Sequence, residues 1–74
     1  MDYHIRGSIE HLGQEGYSAT VIATPIANGA TSHRASERFR TRAQAATRLR
    51  ELVVMMGKTI RTEGGTVLEV RTEE

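Results

Sequence analysis

TRAQAATRLRELVVMMG, residues 41–57, decides the fold. Ala46, Leu49, Val53 and Met56 recur at spacings of three and four, and Ala45 and Leu52 widen the stripe, so the segment reads as an amphipathic helix with one apolar face. Thr41 followed three residues later by Gln44 has the form of a capping box, in which the hydroxyl accepts a first-turn N–H and the amide reaches back to the cap. Gly57 offers the left-handed position that commonly ends a helix, so the helix is expected to stop there. The opposite face carries Arg42, Arg48, Arg50 and Glu51. Arg42 falls in the first turn, where the helix dipole disfavours a cation.

Upstream, residues 3–12 alternate with the period of a half-buried strand: Tyr3, Ile5, Gly7 and Ile9 on one side, His4, Arg6, Ser8 and Glu10 on the other. Gly7 lies on the apolar side, where a missing side chain lets the helix approach closely or marks a bulge. A turn at Gly13–Gly16 leads to residues 17–27, a β-branched run with Tyr17, Ala19, Val21 and Ala23 on the apolar side and Ile22 on the other. Ile22 would centre an interface if Ile26 and Leu12 lay near it. Pro25 has no N–H to donate, so pairing should weaken or bulge there. Asn28-Gly29 is a hairpin signal, because a type I′ turn needs positive φ at both central residues. Residues 30–39 then form an edge strand, with Ala35 and Phe39 inward and His33 and Glu37 fitting that face poorly; the alternative is a polar surface loop.

Downstream, residues 58–62 suit a short strand and Gly64-Gly65 a second two-residue hairpin turn. Residues 66–71 make the last strand, with Leu68 and Val70 inward. The expected architecture is α+β: a mainly antiparallel sheet of three or four strands with one helix packed on one face, in the order β-β-β-α-β. The other face is polar and open, presenting His4, Arg6, Ser18, Thr20, Arg34 and Arg38 together with Ile22.

Seventy-four residues make one domain, and a core of this size supplies roughly 3–5 kcal/mol, so association with itself or a partner is expected. The absence of cysteine removes disulfides, thiolate chemistry and cysteine-based zinc sites, and fits a reducing cytoplasm. No apolar stretch approaches the ~20 residues of a membrane span, and the charged N-terminus does not resemble a signal peptide. A soluble, cytoplasmic protein follows.

Little supports catalysis or a cofactor. The histidines are His4, His11 and His33, the one aspartate is Asp2, and no nucleophile-elbow or Ser/His/Asp pattern occurs. His4 and His11 face opposite sides of one strand, which argues against a shared metal. Met55 and Met56 read as core filler. The feature that asks for more than folding is the arginine-rich segment 34–50. Residues 33–50 hold six arginines against Glu37 alone, a local charge of +5, while the segments on either side carry −2 each. On one reading these are a solvated surface. On the other, Arg34, Arg38, Arg40, Arg42 and Arg48 form one patch that contacts an acidic protein or, through phosphates, nucleic acid without sequence specificity. The aromatics Tyr3, Tyr17 and Phe39 all fall on the apolar side, away from any stacking role.

Gly16-Tyr17, Pro25, Gly29, Thr41, Ala43 and Ala46 resemble the path of the N-terminal domain of HicB-type antitoxins, from a Gly-aromatic strand start through a Pro/Gly turn to a Thr-capped helix containing alanine. The resemblance spans roughly residues 3–70. Arg42 and Gln44 stand where that family carries an acidic pair, and its Pro-Asp-x-Pro-Gly turn is missing. The resemblance implies a partner-binding domain that oligomerises, here without the family's DNA-binding part, and assigns no functional residue. The reading that follows is a non-catalytic interaction or oligomerisation module, a homodimer that binds an acidic protein, with nucleic-acid binding as the alternative.

Overall fold

The computed structural model of the chain describes residues 1–27, 29 and 31–74. The elements are β1 (Asp2–His11), one turn of 3-10 helix (Gly13–Glu15), β2 (Tyr17–Pro25), β3 (His33–Phe39), α1 (Arg42–Thr62) and β4 (Thr66–Glu73). The strands form one sheet in the order β3-β2-β1-β4. β1–β2 and β2–β3 are antiparallel, whereas β4 runs parallel to β1. With α1 packed on one face, this is the α+β, β-β-β-α-β arrangement that the periodicities predict.

α1 begins as expected. Thr41 Oγ1 accepts the Gln44 N–H at 3.2 Å and Gln44 Oε1 accepts the Thr41 N–H at 3.3 Å, completing the capping box. It does not end at Gly57, which is buried within the helix. The apolar stripe Ala45, Leu49, Leu52 and Met56 continues to Ile60, so residues 58–62 are helix and not a strand. The end comes at Gly64, which has φ 86°. Its N–H donates to the Arg61 carbonyl at 3.1 Å and the Gly65 N–H to the Ile60 carbonyl at 2.8 Å, the paired bonds of a Schellman motif.

Gly64-Gly65 is therefore a helix cap and not a hairpin turn, for a topological reason. A parallel neighbour cannot be reached through two residues; the chain must first travel back the length of the sheet. The 21 residues of α1 cover about 32 Å at ~1.5 Å each. They carry the chain from the β3 edge across the sheet to the start of β4, where the Thr66 N–H donates to the Met1 carbonyl at 2.8 Å.

The core lies between α1 and the two central strands: Tyr3, Ile5, Ala19, Val21 and Ala23 from the sheet against Ala45, Leu49, Leu52, Met56 and Ile60. Gly7 is a point of close approach. A Cβ there would lie 3.0 Å from Leu49 Cδ1 and 3.2 Å from Val53 Cγ2, and the β1–β2 register runs through Gly7 without a bulge.

β3 is an edge strand, beginning at His33. Its ladder with β2 runs from Tyr17↔Phe39 to Ala23↔His33 and stops short of Pro25. β2 ends at Pro25 and β3 begins at His33. Gly29 has φ 83°, but Asn28, and with it the turn type, lies outside the described residues. His33 and Glu37 do occupy the helix side, accommodated by partners there. Glu37 accepts from Arg48 Nε at 2.9 Å, and His33 Nε2 lies 3.5 Å from the Glu63 carboxylate with its ring 5.8 Å from that of Tyr3.

Leu68 and Val70 are not in the core. Val67, opposite Tyr3, packs against it instead, and an irregularity between Tyr3 and His4 makes Leu68 an extra residue. Val70 lies beside Ile5 but α1 leaves this edge half open. Met55 likewise faces solvent while Met56 is buried.

Two substitutions test this packing. Gly57→Ala should stabilise the chain by about 0.5–1 kcal/mol in urea unfolding, because it replaces an interior helical glycine and meets only the flexible end of Arg61 at 3.3 Å; a loss would restore Gly57 as a helix terminator. Gly7→Val should cost about 1–3 kcal/mol by overpacking against Leu49 and Val53.

Candidate functional site

The pairing registers order the uncovered face of the sheet into rows. One row runs Arg71–Arg6–Ile22–Arg34 across all four strands, and the next runs Glu73–Ser8–Thr20–Ser36. Thr20 and Ser36 hydroxyls are 2.9 Å apart. Beyond them Ser18, expected to be open, is buried between Glu10 and Arg38. Ile22 is half-buried, with arginines on both flanks. Ile26 follows the end of β2 and Leu12 follows the opposite end of β1, so the apolar cluster expected around Ile22 does not form.

The arginines of segment 34–50 do not make one patch. Arg34 and Arg38 stand on the open face of β3, because their even positions alternate with the helix-facing Ala35, Glu37 and Phe39. Arg48 rises from α1 on the other side of the sheet and is held there by Glu37 and, at 3.8 Å, by Glu51. Arg50, two residues on, sits on the opposite flank of α1 and bonds Glu74 at 2.9 Å. Arg40 and Arg42 are exposed around the start of the helix. What the fold does bring together is Arg38, Arg40 and Arg48, which line an open groove of about 810 Å³ with Gln44, Glu15 and Glu51.

Charge neutralisation is uneven. Arg6 bonds Glu73 at 3.0 Å and Arg71 bonds Glu69 at 2.6 Å, so the β4 side of the open face is internally paired. On the β3 side, Arg38 has only Glu15 at 3.9 Å, and Arg34 has no ion pair among the described residues. The least neutralised cations of the open face therefore lie along the β3 edge.

Arg6 and Arg71 share a row with Arg34, although Arg71 is 37 positions away in the chain. No sequence signal marks Arg71, because its place depends on which strand β4 chooses as a neighbour. Among the described residues no three His, Cys, Asp or Glu side chains gather as a metal site would require. No helix among them is long and apolar enough to cross a membrane.

Comparison with protein-family models, with characterised proteins and with solved structures yields no match to this chain.

The ion pairs differ in worth. Arg48 and Glu37 side chains are 31% and 41% exposed, against 68% and 62% for Arg6 and Glu73. A double-mutant cycle at Glu37/Arg48 should give a coupling of about 0.5 kcal/mol, after allowance for solvent screening, and one at Arg6/Glu73 close to zero. Equal couplings would remove Arg48 from the structural role assigned here.

Proposed function

We propose that the chain is a non-catalytic cytoplasmic interaction module, a homodimer that docks an acidic protein partner along the β3 edge of its open sheet face. One observation carries the reading: Arg34 and Arg38 project from the open face of an edge strand whose outer side has no neighbouring strand among the described residues, next to the half-buried Ile22. Such an edge offers main-chain hydrogen bonds to an added segment, the arginines select acidic side chains, and Ile22 supplies apolar contact. The resemblance to HicB-type N-terminal domains, which implies a partner-binding domain that oligomerises, points the same way.

A second reading rests on the groove of Arg38, Arg40 and Arg48 as a phosphate-contacting surface for nucleic acid. Glu15 and Glu51 line that same groove, and Phe39, which lines it too, is part-buried against the core as is Tyr17, while Tyr3 is buried within it, so among the described residues no exposed Tyr or Phe is offered for stacking on bases. The protein-partner reading is the better supported.

Anisotropy titrations with labelled poly-glutamate and with generic RNA and DNA, each at two salt concentrations, separate the two. Poly-glutamate should bind at low salt and lose about tenfold or more in affinity when Arg34→Glu and Arg38→Glu are combined. Nucleic-acid binding with a steep negative salt slope would favour the second reading instead. Absence of binding to every polyanion would sink both.

A further inference from the structure

The opposite edge of the sheet has another chemistry. Among the described residues β4 has no strand on its outer side, and Leu68 and Val70 are 56% and 50% exposed. Glu69 and Arg71 flank Val70 on the open face, opposite His4 and Arg6, with 2.6 Å between their side chains.

We propose that β4 pairs antiparallel with β4 of a second copy about a two-fold axis at Val70, joining two sheets into one layer of eight strands. The inference rests on the homodimer in the function above and names its surface. A two-fold axis normal to the sheet keeps each residue on its own face, so pairs must join residues of equal parity, and the choice of centre settles every contact.

With the centre at Val70, Glu69 meets the partner's Arg71 and Arg71 meets the partner's Glu69. Val70 meets its own copy, and Leu68 meets Thr72. Two opposite-charge pairs thus flank an apolar contact made from half-exposed side chains. The neighbouring centres fail. At Glu69 the glutamate opposes itself; at Arg71 the arginine opposes itself and Glu69 opposes Glu73. At Thr72, Arg71 finds Glu73, but Val70 is set against Glu74 and Leu68 is left uncovered. At the β3 edge a two-fold at the central Ser36 opposes Arg34 to Arg38, and one at Ala35 opposes His33 to Glu37, side chains already engaged within the chain by Glu63 and Arg48. In this dimer both helices share one side of the layer, and the two β3 edges remain free at its ends.

Self-complementarity gives a test that single-site packing cannot imitate. Glu69→Arg puts Arg opposite Arg at both pairs of the seam, and Arg71→Glu puts Glu opposite Glu. Each variant alone, shown to be folded by circular dichroism, should dissociate about ten- to a hundredfold more readily than the original chain in low-salt sedimentation equilibrium. Mixed in equal amounts, they should form a heterodimer, because each then meets opposite charge. The intrachain pair cannot explain that rescue, since it is like-charged in both variants. As the chain has no cysteine, Val70→Cys should give a single oxidised dimer through that residue. If the original chain dimerises while mixing rescues nothing and Val70→Cys stays uncrosslinked, the seam is wrong and the homodimer stands on another surface. If the original chain is a monomer at every concentration, both the seam and the homodimer fall.

Discussion

The contact between α1 and the bare backbone at Gly7 is the constraint from which the rest of the structure follows. Leu49 and Val53 sit where a side chain on β1 would be, and on β2 Val21, the cross-strand neighbour of Gly7, is flanked under the helix by Ala19 and Ala23. Small residues at the middle of the sheet and large ones on the helix let the two layers close with few apolar residues, which a chain of this length requires. The same contact centres the helix over β1 and β2. One helix cannot also cover both margins, so β3 and β4 are left partly bare.

The two margins resolve that exposure differently. On β3 the helix-facing positions include polar residues, and they reach the helix as pairs: Glu37 with Arg48, His33 beside Glu63. On β4 the corresponding positions are Val67, Val70 and Thr72, of which Val70 and Thr72 are exposed. Exposed strand edges invite pairing by other chains, and the sequences of the two edges differ in what they would accept. In the proposed function, the cationic β3 edge takes an acidic partner and the β4 edge takes a second copy. These roles do not compete for surface.

Much of the fold was legible in local pattern. The alternation in residues 3–12 and 17–27, the capping box at Thr41 and the apolar stripe from Ala45 to Met56 correspond to observed elements, and of the two readings of Gly7, close approach or bulge, the structure shows the close approach. The errors cluster after Met56. Gly57 resembles a terminator, yet Ile60 falls four residues after Met56 on the buried stripe, and packing of that stripe outweighs the ~1 kcal/mol intrinsic disadvantage of an interior glycine. The misplaced helix end then made a hairpin of Gly64-Gly65. The candidate site was less legible still: the charge of the arginine segment is plain in the sequence, but its division between two sides of the sheet follows from strand alternation in β3 meeting helical spacing in α1.

Local sequence by itself determined the element types as far as Met56, the capped helix start, the apolar faces of β1, β2 and α1 and the concentration of cations between residues 33 and 50, because each of these depends on neighbours within a few positions. Only the tertiary structure decided that β4 runs parallel beside β1, that Arg71 and Arg6 join Arg34 in one row, and that Leu68 and Val70 stand in water. Those outcomes depend on which strand edge the crossover helix reaches, a choice set by layer packing and by strand pairing between residues more than sixty positions apart.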